Sequence, residues 1–112
     1  MSTLRQNKVS RLLQKEIGEL LQRKSHELFP GSIATVTLVQ VSPDLSIAKV
    51  YLSLYGKINP EEVMKLLLTK RTELRMELSS QVKHQLRIVP DLRFYIDDSY
   101  NDVARIEELL KK

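Results

Sequence analysis

Lys8, Arg11 and Lys15 step by three and four residues, with Arg5 one turn ahead, and Arg71, Arg75, Lys83 and Arg87 form a second series at multiples of four. On a helix the first spacing makes one cationic stripe. The second drifts by ~40° per step and winds slowly, with Lys70 just ahead of it. Such stripes attract phosphates whatever their sequence, the electrostatic basis of backbone-directed nucleic-acid binding. The alternative is a solvated face pairing internally, with Glu16 and Glu19 beside Lys15 and Glu73 and Glu77 beside Arg75. Tyr51, Tyr55 and Tyr95, on alternating positions, have faces on which bases could stack, but half-buried sheets carry tyrosines in the same places, and packing is the favoured reading.

Catalytic chemistry has few candidates. Cysteine is absent, which removes thiol nucleophiles, thiolate metal sites and disulfides. His26 sits among Lys24, Ser25 and Glu27, and His84 between Lys83 and Gln85 on the polar side of a helix, both settings of solvated histidines. Asp97-Asp98 reads as a turn and cap, because a hard-cation site needs several converging oxygens. There is no nucleophile elbow, Gly-rich phosphate loop or His-Glu-x-x-His. The expectation is a protein with no catalytic site, no metal and no cofactor.

A chain of 112 residues reads as one domain, 1–112, large enough to bury a core without staples. Its 42% hydrophobic and 29% charged residues are those of an ordinary globular domain, with an aliphatic core because aromatics are 5%. The net charge of +4 favours a polyanionic partner. The excess lies before Pro90, since acids outnumber bases from Asp91 onward. No segment approaches the ~18 apolar residues of a membrane span, and none resembles a signal peptide. The expected location is the cytoplasm, without membrane contact.

Six elements must position these residues. Val9, Leu12, Leu13, Ile17, Leu20 and Leu21 recur at helical spacing over about Thr3 to Lys24, with Gly18 as a weak point. Phe29-Pro30-Gly31-Ser32 is a turn. Ile33 to Val41 and the alternating run around Val50, Leu52 and Leu54 are strands, joined through the turn residues Ser42-Pro43-Asp44-Leu45-Ser46 as a hairpin. Asn59-Pro60-Glu61-Glu62 starts a long helix with an N-cap and a proline at the first helical position. Its apolar face (Val63, Leu67, Leu74, Leu78, Val82, Leu86) is interrupted where Lys70 or Arg71 would point inward. A straight helix would bury a cation, so a kink or break is predicted near Thr69 to Thr72. Val89-Pro90-Asp91 is expected to stop that helix. Leu92, Phe94 and Ile96 then alternate as a third strand. A capping pattern at Ser99 to Asp102 leads to a short terminal helix with Val103, Ile106, Leu109 and Leu110. The expected fold is α+β, order αββαβ, with helices on one face of a three-stranded sheet.

That order is similar to the type II KH domain, an RNA-binding fold that grips nucleotides with a Gly-x-x-Gly loop. The glycines here, 18, 31 and 56, all fall outside the long helix, so that grip is missing. Val39-Gln40-Val41-Ser42-Pro43-Asp44-Leu45-Ser46-Ile47-Ala48-Lys49-Val50-Tyr51-Leu52-Ser53 resembles the hairpin of the ribosome-binding factor A family. Leu74-Arg75, Leu86-Arg87-Ile88-Val89-Pro90-Asp91-Leu92-Arg93-Phe94, Asp97-Asp98-Ser99 and Arg105-Ile106 with Leu109-Leu110 extend the resemblance over nearly the whole chain.

The resemblance implies a monomeric, KH-like bacterial assembly factor that binds the free small (30S) ribosomal subunit. It implies help with late maturation and 5′-end processing of 16S rRNA, most needed in the cold. The family's Ala-x-Gly kink falls on Lys70-Arg71-Thr72, where this sequence has neither small residue, and Thr72 is the expected cap of a new helix start. The candidate rRNA contacts are Arg5, Lys8, Arg11, Lys15, Lys70, Arg71, Arg75, Lys83 and Arg87. A basic KH-like module for another RNA, or one docking on ribosomal proteins or assembly factors through the acidic C-terminal portion, is the alternative.

Overall fold

The computed structural model describes residues 3–56 and 59–96. The terminal helix expected after Ser99, and Asp97-Asp98, lie outside them. The order is α1 (Leu4–Arg23), α2 (Ser25–Leu28), β1 (Ser32–Val41), β2 (Ile47–Gly56), α3 (Pro60–Thr69), α4 (Arg71–Val82) and β3 (Asp91–Ile96). The sheet runs β1-β2-β3, with β1 antiparallel and β3 parallel to β2. A parallel neighbour needs a crossover, and α3 and α4 supply it.

α1 starts in a capping box: Thr3 Oγ1 accepts from the Gln6 amide at 3.1 Å, and Gln6 Oε1 accepts from the Thr3 amide at 2.8 Å. The buried Gln6 side chain also donates from Nε2 to the Val41 carbonyl at 2.9 Å, tying the helix start to the end of β1. Gln6→Leu keeps the volume but leaves that carbonyl unpaired, and should destabilise by ~1–3 kcal/mol. Urea unfolding reads this directly, and a loss under ~0.5 kcal/mol would show that water replaces the amide.

Val39, Val41, Ala48, Val50, Leu52, Leu54, Leu92 and Phe94 alternate onto one buried sheet face. They meet Leu13, Ile17, Leu20 and Leu21 of α1, Val63 and Leu67 of α3, and Leu74, Leu78 and Val82 of α4. Helices on one sheet face are the expected α+β arrangement. Gly31, at φ +76°, makes the turn from α2 into β1.

In the hairpin turn Leu45 takes φ +61°. Asp44 Oδ1 accepts from Ser42 Oγ and Ser46 Oγ, each at 2.7 Å, and from the Ser46 amide at 3.1 Å. These bonds, that from the Ser46 hydroxyl first, lower the Asp44 carboxyl from 3.8 to about 2. Because the folded value is depressed, the stabilisation is complete above the ordinary value and disappears as pH falls through about 2. Asp44→Ala should therefore flatten the fall in stability over that interval. An acid limb identical to the parent's in thermal melts would refute the assignment.

The long helix is broken where the cations interrupt its apolar face. Lys70 lies between α3 and α4 at φ −98°, ψ 7°, and its amide still donates to Leu66 O and Leu68 O. Asn59 caps α3 through a 2.9 Å bond from the Glu61 amide, with Pro60 at its first position. Thr72 does not cap α4. Lys70 occupies that position and no side chain bonds the helix start.

The second helix also ends earlier than expected, at Val82 instead of next to Pro90. Val82 O accepts from the amides of Gln85 and Leu86, each at 2.8 Å, in a closing turn. The reason is tertiary: Val89 and Pro90 are buried and the Asp91 amide donates to Ser46 O at 2.8 Å, so the chain must leave α4 to reach the sheet. Lys83, His84 and Arg87 therefore lie beyond the helix.

Candidate nucleic-acid interface

Arg5, Lys8, Arg11 and Lys15 are exposed on α1, opposite the face that carries Val9, Leu13 and Ile17. None forms an ion pair with another described residue. The spacing argument thus places four exposed cations on one side of α1, with Glu19 at its C-terminal end.

The second series is divided. Lys70 is ion-paired with Glu27 of α2. Arg75 donates from Nη2 at 2.8 Å and Nε at 3.3 Å to the Val89 carbonyl, fastening the segment that leads into β3. Arg71 is half-buried at the start of α4, and Lys83 and Arg87 are exposed past its end. No ion pair among the described residues involves these three.

Lys24, which the sequence reading did not single out, joins the helices. Only 16% of its side chain is exposed, and its Nζ lies 2.8 Å from Glu77, 3.7 Å from Glu73 and 3.9 Å from Glu27. The hydrogen bond to Glu77 outweighs the cost of desolvation, and with Glu73 it raises the pKa of the amine above its usual 10.5. Positions two apart on a helix differ by ~200°, so α4 turns Glu73 and Glu77 toward Lys24 while Arg71 and Arg75 face away. The two cationic groups are consequently two patches separated by an acidic ridge. Spacing alone could not reveal the role of Lys24, because Glu73 and Glu77 lie about fifty residues away.

The patch beyond the ridge includes an open depression of about 320 Å³, lined by Thr72, Arg75, Met76, Ser79, Arg87 and Ile88. Met76 is 68% and Ile88 77% exposed, an apolar surface bordered by hydroxyls and guanidinium groups. Cations there can meet phosphates, hydroxyls can meet sugars, and the apolar surface can receive a base. On the open sheet face Tyr51 and Tyr95 stack on each other, ring centroids 5.3 Å apart, which agrees with the packing reading. Tyr55 is exposed. His26 and His84 are exposed, and no group of three or more potential metal-ligating side chains occurs among the described residues. No helix among them is long and apolar enough to cross a membrane.

A family model described as ribosome-binding factor A matches residues 5–110. A ribosome-binding factor A from Cytophaga hutchinsonii is 35% identical over 112 residues, covering 100% of this chain and 84% of that one. The crystal structure of ribosome-binding factor A from Thermus thermophilus superposes with a TM-score of 0.67 at 24% identity, over 81% of this chain and 94% of that one. A homology model of the Thermus thermophilus factor, fitted into a cryo-EM map of its complex with the 30S subunit, gives a TM-score of 0.65 at 24% identity, over 80% and 91% of the two chains. The hairpin, the divided crossover helix and the Val-Pro-Asp entry to β3 lie within the matched span, and the chain belongs to the ribosome-binding factor A family.

Proposed function

We propose that the protein is a non-catalytic assembly factor that binds the free small ribosomal subunit and assists late maturation and 5′-end processing of 16S rRNA. Family membership carries this reading, supported by the Thermus thermophilus relative fitted into a 30S complex. In it the protein acts in the cytoplasm as a monomer and matters most during cold growth. Arg5, Lys8, Arg11 and Lys15 contact one run of phosphates, and Arg71, Lys83 and Arg87 a second. Lys70 and Arg75 hold the elements between them. The Glu73–Glu77 ridge repels phosphates and thus fixes orientation on folded rRNA, so shape supplies specificity instead of base sequence.

The test is sedimentation with small subunits, large subunits and assembled ribosomes over a salt series. Pelleting with free small subunits alone, with steep loss as salt rises, is expected. Equal pelleting with all three, or with none, would overturn the reading. For the processing step, a strain lacking the gene should accumulate 16S rRNA with an extended 5′ end at low temperature. Normal 5′ ends there would remove that part of the proposal.

A further inference from the structure

The depression beyond the acidic ridge is built by α4 and the segment that follows it. Thr72, Arg75, Met76 and Ser79 recur at spacings of three and four and share one face of α4, while Glu73 and Glu77 lie to the side and are engaged by Lys24. Arg87 and Ile88 come from the segment leading into β3, which is fixed opposite that face because Arg75 holds the Val89 carbonyl. Among the described residues no carboxylate lines the depression.

Three features of the lining point to one kind of ligand. Met76 and Ile88 stay exposed within it although they are large and apolar. The Arg75 guanidinium is held by two bonds to a single carbonyl, which fixes its plane without neutralising its charge, and a fixed guanidinium plane is a surface on which a base stacks. Arg87 is exposed and forms no ion pair among the described residues, so its charge is open to an anion. At about 320 Å³ the depression is at the small end of ligand pockets, with room for one flat group and not for a run of them.

We infer, on the reading that the partner is rRNA, that this depression is a subsite for one unpaired nucleotide turned out of its helix, its base against Met76, Ile88 and the Arg75 guanidinium and its phosphate on Arg87. A paired helix keeps its base faces inside the stack and presents only phosphates and 2′-hydroxyls, which leave the apolar lining uncovered. Apolar and stacking contacts accept any base, so the site reads whether a nucleotide is unpaired and not which one it is. It fills only while that stretch of rRNA is unpaired, and pairing empties it.

The test follows the anisotropy of fluorescein-labelled RNA hairpins with the full chain: one with a single unpaired adenine in its stem, one with uridine there, one with an abasic ribose there, and one fully paired. The two hairpins with an unpaired base are expected to bind alike, and about tenfold tighter than the abasic and fully paired ones. Met76→Ser combined with Ile88→Ser should abolish that preference and leave the fully paired hairpin, the salt slope and the melting temperature as in the parent, because both side chains are exposed. Equal binding of all four hairpins by the parent, or a preference that survives in the double variant, would overturn the proposal. If such a variant also lost small-subunit binding, the patch would be a contact for a ribosomal protein instead. Sedimentation of the parent separates this failure from that of the assembly-factor reading. A parent that pellets with small subunits but ignores the unpaired base loses the subsite alone, and one that prefers the unpaired base but pellets with no subunit loses the ribosomal reading alone.

Discussion

Alanine at Arg5, Lys8, Arg11 and Lys15 together should weaken small-subunit binding by about three orders of magnitude near 0.1 M salt, and lower the slope of log K against log salt by about three to four. The magnitude follows from counterion release, at roughly 0.7–0.9 units of slope for each phosphate contact. All four side chains are exposed and free of ion pairs among the described residues, so their charge is available to phosphate. Alanine is the best helix former, and the buried face from Val9 to Leu21 is untouched, so the variant should fold. Lys70→Ala, by contrast, removes a cation already paired with Glu27 and should change the slope by less than one unit. An unchanged slope in the fourfold variant, read by sedimentation over a salt series, would remove α1 from the interface.

Phe29→Ala should destabilise the protein by about 3–5 kcal/mol, a large part of the ~5–15 kcal/mol that holds a typical domain together. Phe29 is 1% exposed and is the largest of the fully buried side chains. Its amide donates to Ser25 O at 2.8 Å and its carbonyl accepts from the Ser32 amide at 2.9 Å, so it turns the chain from α2 into β1. Truncation leaves a cavity that those constraints prevent from closing. At roughly 4–8 °C per kcal/mol, the melting temperature should drop by about 12–40 °C. Leu68→Ala, at a position 59% exposed, should cost under ~0.5 kcal/mol and serves as the control. A loss below ~1 kcal/mol for Phe29→Ala would mean that the corner is not part of the core.

The break in the crossover helix shows how far periodicity reaches. Leu67 and Leu74 are buried and the cations between them are not in the core, so an apolar stripe interrupted by Lys70 and Arg71 was enough to locate the break. Motif reasoning was less informative there, because the family's glycine is absent. The structure explains why it can be: Thr72, where the family's glycine would fall, lies within α4, and Lys70 at the break sits at φ −98°, so neither position needs left-handed backbone.

From local pattern alone came the α1 stripe, the hairpin turn, the Asn59 cap, the break near Lys70 and the alternation that buries one sheet face. These depend on spacings within one or two turns, where side-chain direction follows from helix or strand period. Tertiary structure decided the end of α4 at Val82, the pairing of Lys70 with Glu27, the hold of Arg75 on Val89, and the bridging role of Lys24. Each depends on contacts between residues fourteen to about fifty positions apart in sequence. Helical spacing marks which cations share a face, but only packing brings up the carboxylate or carbonyl that engages one cation and leaves its neighbour free for a ligand.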